Sequence, residues 1–407
     1  MRDIQLLHVA LGVVPPWQVK SCRLDLEQQC LDIEVDFDRG SVFSCPQCGK
    51  TECKAHDTER RTWRHLNFFQ YKTLLHARVP RVQCDDCGIL TVKVPWARPG
   101  SGFTLLFEAL AMMMMKAMPV RVTARIVGEH DTRLWRVLAH YVLQARAKLD
   151  LSSLQAVGLD ETASRRGHNY VSLFADLDQH QVIFATEGKD AGTIEAFKAD
   201  LILHGGDPKA VEEFCCDMSP AYISGITEHF PHAELTFDKY HVLKIINEAV
   251  DEVRRQEQRE RPELSGSRYA WLTNPENQTR TQAARIHELL VSQRNLRTAR
   301  AYHIRLNFQE LWEQTSGQAE AFLKGWYFWA THSRLKPIIE AATTIRRHWH
   351  GVLRWFNSRI SNGVREGITR LVQAAKARAR GYRTTRNLIM MIYLIAGKLE
   401  FNLPRPY

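Results

Sequence analysis

The sequence of 407 residues lacks several features that mark whole classes of protein. It holds no run of about 18 uncharged apolar residues, so we expect no transmembrane helix and no membrane partner. Its first residues, MRDIQLLHVALGVVPPW, lack the small-residue cleavage pattern of a signal peptide. Internal repeats and low-complexity tracts are absent too, which excludes a repeat array or a collagen-like rod. We expect a globular, cytoplasmic protein.

Acidic residues are fewer than basic ones. Asp and Glu number 45 against 55 Lys and Arg, which gives a formal net charge of +10. An excess of this size favours a polyanionic partner, with a basic protein that has no nucleic-acid role as the alternative. The hydrophobic fraction of 44% is that of an ordinary globular chain. The length suits several domains.

Cysteine occurs nine times, an odd number, and four of the nine form two C-x-x-C pairs. Cys45 and Cys48 make the first pair, Cys84 and Cys87 make the second, and a glycine follows each pair. Two such turns supply the four thiolates of a tetrahedral Zn²⁺ site, and the strand-like segments between them are typical of a zinc ribbon. We predict structural zinc in a reducing compartment, with four incidental thiols as the alternative. Two nearby residues are competing ligand candidates, Cys53 and His56.

Composition and predicted secondary structure divide the chain into five segments. Breaker residues around Pro99 separate a β-leaning segment from a helical one, and apolar strand patterns begin near residue 154. From residue 239 to about 345 the sequence is helical in pattern and highly charged. The predicted domains are residues 1–100, 101–150, 151–244, 245–345 and 346–407.

Residues 118–138 predict two short helices across a turn that contains Gly128. The second helix would expose Arg133 and Arg136 while its apolar residues pack inward. This helix-turn-helix arrangement can put the second helix in the major groove of DNA, where arginine binds guanine edges and phosphates. An ordinary helical hairpin is the alternative.

Residues 154–238 follow the order strand, strand, strand, helix, strand, helix, strand, which predicts a mixed α/β sheet. Asp160 ends the first strand and Asp217 ends the fourth, both among apolar residues. A carboxylate in such a strand costs free energy unless it is paired or binds a metal. Two of them at one sheet edge suit a pair of Mg²⁺ or Mn²⁺ ions about 3.5–4 Å apart. Capping of the following helix by each Asp is the alternative.

A third carboxylate is singled out by its charge context. From Ala341 to Asn387 the sequence has eleven Arg or Lys and a single acid, Glu366. Such a Glu can bind a metal while its basic neighbours bind DNA phosphates. A helix-capping Glu paired with Arg is the alternative, and we expect the turn before its helix at Asn362. The arginines chosen as phosphate ligands are Arg346, Arg347, Arg354, Arg378, Arg380 and Arg383.

Asp238 and His241 stand three residues apart, where the last strand of this sheet passes into a helix. The pair can hold a substrate or support the catalytic carboxylates. A solvated N-cap Asp followed by a buried His fits the same spacing.

Five motifs together resemble those of insertion-sequence transposases of the ISL-three family. They are GLDET, CDMSPAY, FDKYHVLKIINEAVDEVRR, SNGVREGITR and the paired C-x-x-C ribbon, and they span nearly the whole chain. One departure is Ile368, which stands where the family pattern has Asn after Glu-Gly. That departure weakens a secondary contact and leaves the three carboxylates intact.

The resemblance implies a ribonuclease-H-like core with an Asp-Asp-Glu triad, which Asp160, Asp217 and Glu366 supply. The long separation between the last two (366 − 217 = 149) implies an all-helical insertion in the core, at roughly 245–345. The implied reaction is metal-dependent phosphoryl transfer, in which the enzyme nicks the terminal inverted repeats of its element and joins them to target DNA through a 3′-OH. Such a protein would be nucleoid-associated and homodimeric on synapsed ends.

Two other functions would use many of the same residues. A non-catalytic regulator derived from a transposase, with a zinc ribbon and a helix-turn-helix, has no need of all three carboxylates, and all three are present here. A nuclease with a similar core hydrolyses DNA without joining it. A strand-transfer product therefore separates a transposase from a nuclease.

Overall fold

The computed structural model describes residues 3–165, 167, 169–292, 295–358 and 363–405, with the backbone alone at residues 3 and 363–365. The chain divides into two compact units, one of Met1–Ala145 with Glu400–Tyr407 and one of Arg146–Leu399. The finer division into five segments stays a prediction. No helix in the described part of the chain combines the length and the apolar character that a membrane span requires.

The first unit begins with a helix that the β-leaning pattern did not predict, α1 (Asp3–Ala10), and continues as a sheet. The strands are β1 (Trp17–Asp25), β2 (Cys30–Phe37), β3 (Val42–Phe43), β4 (Cys53–Phe68), β5 (Tyr71–Cys84) and β6 (Gly88–Thr91). Their order is β1-β2-β5-β4-β3, with β6 paired to β5. Alternate residues such as Ile33 and Val35 of β2 and Leu75 and Ala77 of β5 are buried, which is the period of two that a half-buried sheet requires.

Helices follow this sheet in the first unit. They are α2 (Leu105–Ala117), α3 (Val120–Val127) and α4 (Asp131–Arg146), the last of which ends at the boundary between the units. Gly128 ends α3 in the left-handed region, at φ +68°, a conformation that costs glycine little. The fully buried Glu108 of α2 accepts hydrogen bonds from Tyr141 of α4 (2.5 Å) and from Arg98. These bonds fasten α2 to α4 and neutralise a carboxylate that would otherwise be costly to bury.

The second unit contains the mixed α/β sheet that the sequence predicts. Its strands are β7 (Ala156–Ala163), β8 (Tyr170–Asp176), β9 (Gln181–Glu187), β10 (Glu213–Cys216) and β11 (Glu234–Phe237). They lie in the order β11-β10-β7-β8-β9. β10 is parallel to β7 and to β11, whereas β8 is antiparallel to β7 and to β9. Parallel strands require crossovers, and α5 (Ala191–Leu203) and α6 (Pro220–His229) provide them.

One face of this sheet packs on α5 and α6 through aromatic rings. Phe197 of α5 stacks on Phe174 of β8 with ring centroids 4.5 Å apart, and Phe230, directly after α6, contacts Phe214 of β10 at 4.9 Å. All four rings are buried. Because Phe174 pairs with Leu159 across the ladder, this is the face of the sheet opposite to Asp160.

Helices make up the rest of the second unit. They are α7 (Lys239–Gln258), α8 (Arg268–Leu272), α9 (Arg280–Ser292), α10 (Arg297–Gln309), α11 (Ser316–Thr331), α12 (Lys336–Arg347), α13 (Trp349–Ser358), α14 (Gly363–Ala379) and α15 (Thr385–Ala396). Short 3₁₀ turns lie at Pro262–Leu264, Pro275–Asn277 and Glu310–Glu313. α13 lies directly on the edge strand β11, because a Cβ at Gly351 would meet the ring of Phe237 at 2.3 Å. α15 docks on β9 through a hydrogen bond from the backbone N–H of Ala185 to the hydroxyl oxygen of Tyr393 (2.8 Å).

Candidate functional site

Three aspartates lie at one level of three neighbouring parallel strands. Asp217 and Asp238 directly follow β10 and β11, whereas Asp160 lies within β7, which continues to Ala163 because its pairing with β8 extends that far; the prediction that Asp160 ends its strand is therefore wrong. Each residue of β10 lies 57 positions after its partner in β7 (215 − 158 = 57), and each residue of β11 lies 21 after its partner in β10 (237 − 216 = 21). Continued past the last pairs, the same register sets Asp160, Asp217 and Asp238 in one row. The backbone N–H of Asp238 donates to the carbonyl of Cys216 (3.1 Å), so the ladder extends to this residue.

A cavity of about 390 Å³ opens at this end of the sheet. Its lining residues are Asp160, Asp238, Tyr240, His241, Glu366, Thr369 and Arg370. Two members of the predicted triad thus face one cavity although they are 206 positions apart (366 − 160 = 206). Asp217 lies outside the set of described residues that line it.

The position of Glu366 is set by the docking of α14 on β7. Thr369, one helical turn after Glu366, donates a hydrogen bond from its hydroxyl to Oδ2 of Asp160 at 2.6 Å. Gln373 and Lys376 each donate to Oγ1 of Thr162, at 3.1 and 3.0 Å. Because Asp160 and Thr162 point to the same face of β7, α14 lies along that face, with Lys376 at the strand end, where it also bonds the carbonyl of Ala163, and with Glu366 toward Asp160.

Glu366 itself is half exposed and forms an ion pair with Arg370. The guanidinium of Arg370 lies 2.9 Å from Oε2, one helical turn away, and the exposed side-chain fractions are 48% for Glu366 and 81% for Arg370. The alternative prediction of a Glu paired with Arg therefore describes its contact in this structure. An exposed pair of this kind is weak, so a stronger ligand can displace it.

Asp217 occupies the turn between β10 and α6. Its Oδ1 accepts a hydrogen bond from the backbone N–H of Ser219, at 3.0 Å, immediately before α6 begins. The pKa of the buried Tyr222 phenol is raised by burial and further by the charges of Glu161, Asp217 and Asp160. Asp217 and Asp160 therefore lie close enough to act on one buried phenol, although only Asp160 reaches the cavity lining.

The carboxylates of the predicted triad are spaced more widely than the ligands of a closed metal site. Within the described residues, the four cysteines of the first unit form the only group of three or more His, Cys, Asp or Glu side chains whose ligand atoms all lie within 4.8 Å of one another. The oxygens of Asp160, Asp217 and Glu366 do not meet that distance. The donor set is nevertheless all oxygen, which is the chemistry that Mg²⁺ and Mn²⁺ prefer.

Asp238 and His241 form a hydrogen-bonded pair in the wall of the cavity. Oδ1 of Asp238 accepts from the backbone N–H of Tyr240 at 2.8 Å, so Asp238 caps α7 as one prediction had it. Oδ2 lies 3.2 Å from Nδ1 of His241. The burial in that prediction is wrong, because Asp238 is buried and His241 is partly exposed. The carboxylate thus fixes the orientation of a ring that borders the cavity.

The four cysteines of the two C-x-x-C pairs converge at one point. Sγ of Cys48 lies 3.6 Å from Sγ of Cys84. Gly49 and Gly88, which follow the two pairs, have φ of +77° and +78°, the left-handed turn that lets backbone amides approach the thiols. Those amides, from Gln47 and Cys48, lower the pKa of Cys45 to about 6.

These thiols have the number and spacing of a structural zinc site. Lys50 and Asp85 join the two turns with an ion pair of 2.7 Å. Cys53 is buried and bonds the carbonyl of Lys50 (3.5 Å), and neither it nor His56 belongs to the cluster within the described residues. The site therefore consists of the four residues predicted for it.

The buried face of the helix-turn-helix is as predicted, but only one of the two predicted arginines on its outer face is without a partner in the described contacts of its unit. Leu134 and Leu138 of α4 are fully buried, and Arg136 is exposed. Arg133 forms an ion pair with Glu129 and lies over the ring of Phe103 at 4.1 Å. One of the two predicted base-reading arginines is therefore already bound within its own unit.

The remaining predicted arginines occupy two stretches of the second unit. Arg346, Arg347 and Arg354 line a groove of about 930 Å³ that runs between α6 and β11 on one side and α12 and α13 on the other. Nε of Arg354 is buried there without a hydrogen-bond partner among the described residues. The second stretch comprises the exposed residues Arg378, Arg380 and Arg383 at the end of α14. The turn predicted at Asn362 lies outside the described residues.

Three lining residues of the acidic cavity were not predicted. Tyr240 lies between Asp238 and His241 in sequence, and its side chain is 61% exposed. Thr369 and Arg370 follow Glu366 by three and four residues, the spacing that shares a helix face. That spacing was the only sign in the sequence that these two residues accompany Glu366. The packing of α14 on β7 shows that they line the same cavity.

Comparison with known families agrees with these observations. A family described as transposase matches residues 157–392, which include Asp160, Asp217 and Glu366. The helix-turn-helix domain of transposase family ISL3 matches residues 92–142, and the zinc-finger of transposase IS204/IS1001/IS1096/IS1165 matches residues 41–87.

Two named relatives are similar over most of their length. The transposase for insertion sequence element IS1001 of Bordetella parapertussis is 29% identical over 355 residues, which cover 84% of this chain and 86% of the relative. The transposase for insertion sequence element IS1557 of Mycobacterium tuberculosis is 26% identical over 454 aligned positions, which cover 98% of this chain and 96% of the relative.

The resemblance seen in the motifs is thereby confirmed, and the alternative of a non-catalytic regulator is not favoured. The matched regions stand in the predicted order of zinc ribbon, helix-turn-helix and catalytic domain. The chain belongs to the ISL3 family of transposases.

Proposed function

We propose that this transposase binds the terminal inverted repeats of a bacterial insertion sequence, nicks them in a reaction that depends on Mg²⁺ or Mn²⁺, and joins the resulting 3′-OH to target DNA. The observation that carries the proposal is the shared cavity of Asp160 and Glu366. Two acids so distant in sequence meet where a polar cavity opens to solvent. A chain that only binds DNA has no use for that convergence.

The strand order of the second unit supports a ribonuclease-H-like core. In this proposal the core includes β7 to β11 with α5, α6 and α14, and an all-helical insertion of roughly residues 245–345 precedes the last part of the core. The hydrogen bonds of α14 to Asp160 and Thr162 support this division, because they return the chain to the first core strand after the intervening helices. The domain limits near 245 and 345 remain part of the proposal.

Asp160, Asp217 and Glu366 are the proposed metal ligands. Their oxygen donors suit Mg²⁺ or Mn²⁺, and hydroxyl and amide neighbours orient them. Bound divalent metal would make water or a 3′-OH a better nucleophile and would stabilise charge on the phosphate. The Glu366 carboxylate is held only by an exposed ion pair, so it can turn from Arg370 to a ligand at little cost.

Asp238 and His241 are proposed to support the site without holding the metal. Both oxygens of Asp238 are already used, one by the Tyr240 amide and one by the His241 ring. His241 therefore presents the rest of its ring toward the cavity in a fixed orientation. There it can hydrogen-bond the DNA strand that enters.

Arginines on separate elements are proposed to hold the DNA backbone. Arg346, Arg347 and Arg354 share a groove, and the unpartnered Nε of Arg354 is a buried donor that a phosphate oxygen would satisfy. Arg378, Arg380 and Arg383 extend the basic surface beyond α14. On the helix-turn-helix, Arg136 is the available reader of bases, and Arg133 would first have to leave Glu129.

The test is incubation of the zinc-loaded protein with DNA that carries both element ends, in Mg²⁺ or Mn²⁺, with products mapped to the nucleotide. Nicks at the ends followed by joined products are expected, and chelation of the divalent metal should stop both. Cleavage without any joined product would indicate a nuclease instead. Binding without cleavage by the intact protein would refute the catalytic proposal. Synapsis of two ends is expected to require a homodimer, which light scattering of the DNA complex measures.

A further inference from the structure

One face of α14 is fastened to β7 by three polar side chains. Thr369, Gln373 and Lys376 follow one another at intervals of four and three residues, so they share a side of the helix. Thr162, which receives two of the four bonds that these side chains make to β7, is only 2% exposed. Burial lowers the pKa of Lys376 as well. The contact is a defined polar interface within the second unit, because all three side chains are paired with β7 and Thr162 at its centre is buried.

The first of the three residues binds a catalytic carboxylate directly. The hydroxyl of Thr369 donates to Oδ2 of Asp160 at 2.6 Å, the length of a hydrogen bond to a charged oxygen. Oδ1 of the same carboxylate accepts from the backbone N–H of Glu161 at 2.8 Å. The rotation of the Asp160 carboxylate is thereby fixed at both oxygens. Each carboxylate oxygen has more than one acceptor site, so these bonds do not prevent metal binding.

We propose that Thr369 is a positioning residue for Asp160. This inference rests on the proposed role of Asp160 as a metal ligand. The Thr369 hydroxyl orients the carboxylate toward the cavity, as hydrogen bonds to metal-binding carboxylates generally do. Because Thr369 lies one turn from Glu366, the same bond sets the strand that carries one catalytic acid against the helix that carries another.

A purely structural role predicts a different outcome. Gln373 and Lys376 fasten α14 to Thr162 without touching Asp160. If Thr369 only helped to dock the helix, its loss would lower the unfolding temperature and leave the active site of the folded molecules unchanged. If Thr369 orients Asp160, its loss weakens metal binding in molecules that are fully folded.

The experiment compares Thr369→Val, which keeps the shape and removes the hydroxyl, with Thr369→Ser, which keeps the hydroxyl. Thr343→Val is the matched control, because Thr343 is an exposed threonine on α12 whose hydroxyl bonds the carbonyl of Ile339. Each full-length, zinc-loaded variant is mixed with element-end DNA. The measurements are Mn²⁺ affinity from the electron paramagnetic resonance signal of free Mn²⁺, the single-turnover cleavage rate, and the unfolding temperature.

We expect Thr369→Val to weaken Mn²⁺ binding and slow cleavage by about 10- to 100-fold, the usual cost of losing such a partner. Thr369→Ser should restore most of both, and Thr343→Val should match the wild type. Should Thr369→Val not fold, Thr369→Ala takes its place, since it adds no methyl group to the interface.

Wild-type Mn²⁺ affinity in the folded Thr369→Val protein would overturn the inference, and so would a Thr369→Ser protein as impaired as Thr369→Val. The proposed function has its own test, because full cleavage by Asp160→Asn would refute it whatever the Thr369 variants do. Loss of cleavage in Asp160→Asn together with normal behaviour of Thr369→Val would leave the catalytic assignment standing and remove only the positioning role.

Discussion

The four-cysteine cluster and the acidic cavity are built in opposite ways. Each thiol pair of the cluster comes from one short turn, and the sulfur atoms already lie within 4.8 Å of one another. The carboxylates come from the middle of β7, the turn after β10 and the helix α14, and they are not gathered to that distance within the described residues. A structural site is closed by local turn geometry. The proposed catalytic site is more open, and Asp160 is oriented there by a hydrogen bond from Thr369.

Removal of zinc should give the largest effect, because the exposed Lys50–Asp85 ion pair that joins the two cysteine turns is too weak to replace the metal. Cys48→Ser, or strong chelation, is expected to cost the first unit about 10 kcal/mol of metal-dependent folding free energy, the scale of structural zinc. Zinc content and the unfolding of that unit by circular dichroism measure it. Cys22→Ser is the control, since Cys22 lies outside the cluster. If Cys48→Ser retained a full equivalent of zinc, the cluster would not be the closed four-thiol site of this comparison.

Loss of a triad carboxylate should abolish chemistry while the fold persists. Asp160→Asn or Glu366→Gln is expected to slow cleavage by about a thousandfold or more, since divalent metal stabilises several kcal/mol of transition-state charge. DNA-end binding, measured by fluorescence anisotropy, should change little. Arg334→Gln, at an exposed position away from the cavity lining, provides a matched surface control. Near-normal cleavage by Asp160→Asn would contradict the assignment.

A comparison of Asp217 and Asp238 variants tests which of these two acids is the second metal ligand. Asp217→Asn is expected to be as damaging as Asp160→Asn, although Asp217 does not line the cavity in this structure. Asp238→Asn should cost less, about 10- to 100-fold, because Asp238 acts through the His241 ring. Single-turnover cleavage rates compare the two variants. The reverse ranking would mean that Asp238 is the second metal ligand.

The smallest effect should come from the exposed ion pair of Glu366. Arg370→Ala is expected to change the unfolding free energy by less than about 1 kcal/mol, because the pair is solvent-exposed. Its effect on the salt dependence of DNA binding should be larger, since Arg370 borders the cavity that is proposed to receive DNA. Urea unfolding and DNA titrations at several salt concentrations measure both. A destabilisation of several kcal/mol would show that the pair is structural.

The sequence predicted best what neighbouring residues decide. The two helices predicted between the strands are present as Ala191–Leu203 and Pro220–His229, because Asp190 caps the first and Pro220 begins the second. The four cysteines of the cluster were predicted equally well, because the turn that brings two thiols together is formed by about six consecutive residues. The order of strands followed from apolar patterns bounded by turn residues.

What the sequence did not disclose depends on contacts between distant segments. Thr369 looks like any helix residue until α14 is packed on β7, 209 positions away (369 − 160 = 209). Arg133 fits a recognition helix by pattern, but its pairing with Glu129 and Phe103 arises only in the folded unit. The predictions for Asp160 and Glu366 came from charge context and family resemblance. Their common cavity is a property of the packed structure.

The most direct measurement is the anomalous diffraction of Mn²⁺ in crystals of the protein bound to its element-end DNA. The account predicts a Mn²⁺ peak within about 2.2 Å of carboxylate oxygens from Asp160 and Glu366, with Asp217 drawn in to complete the site. A peak bounded by Asp238 in place of Asp217 would require a different triad. Ordered DNA at the cavity with no Mn²⁺ beside Asp160 would contradict the account.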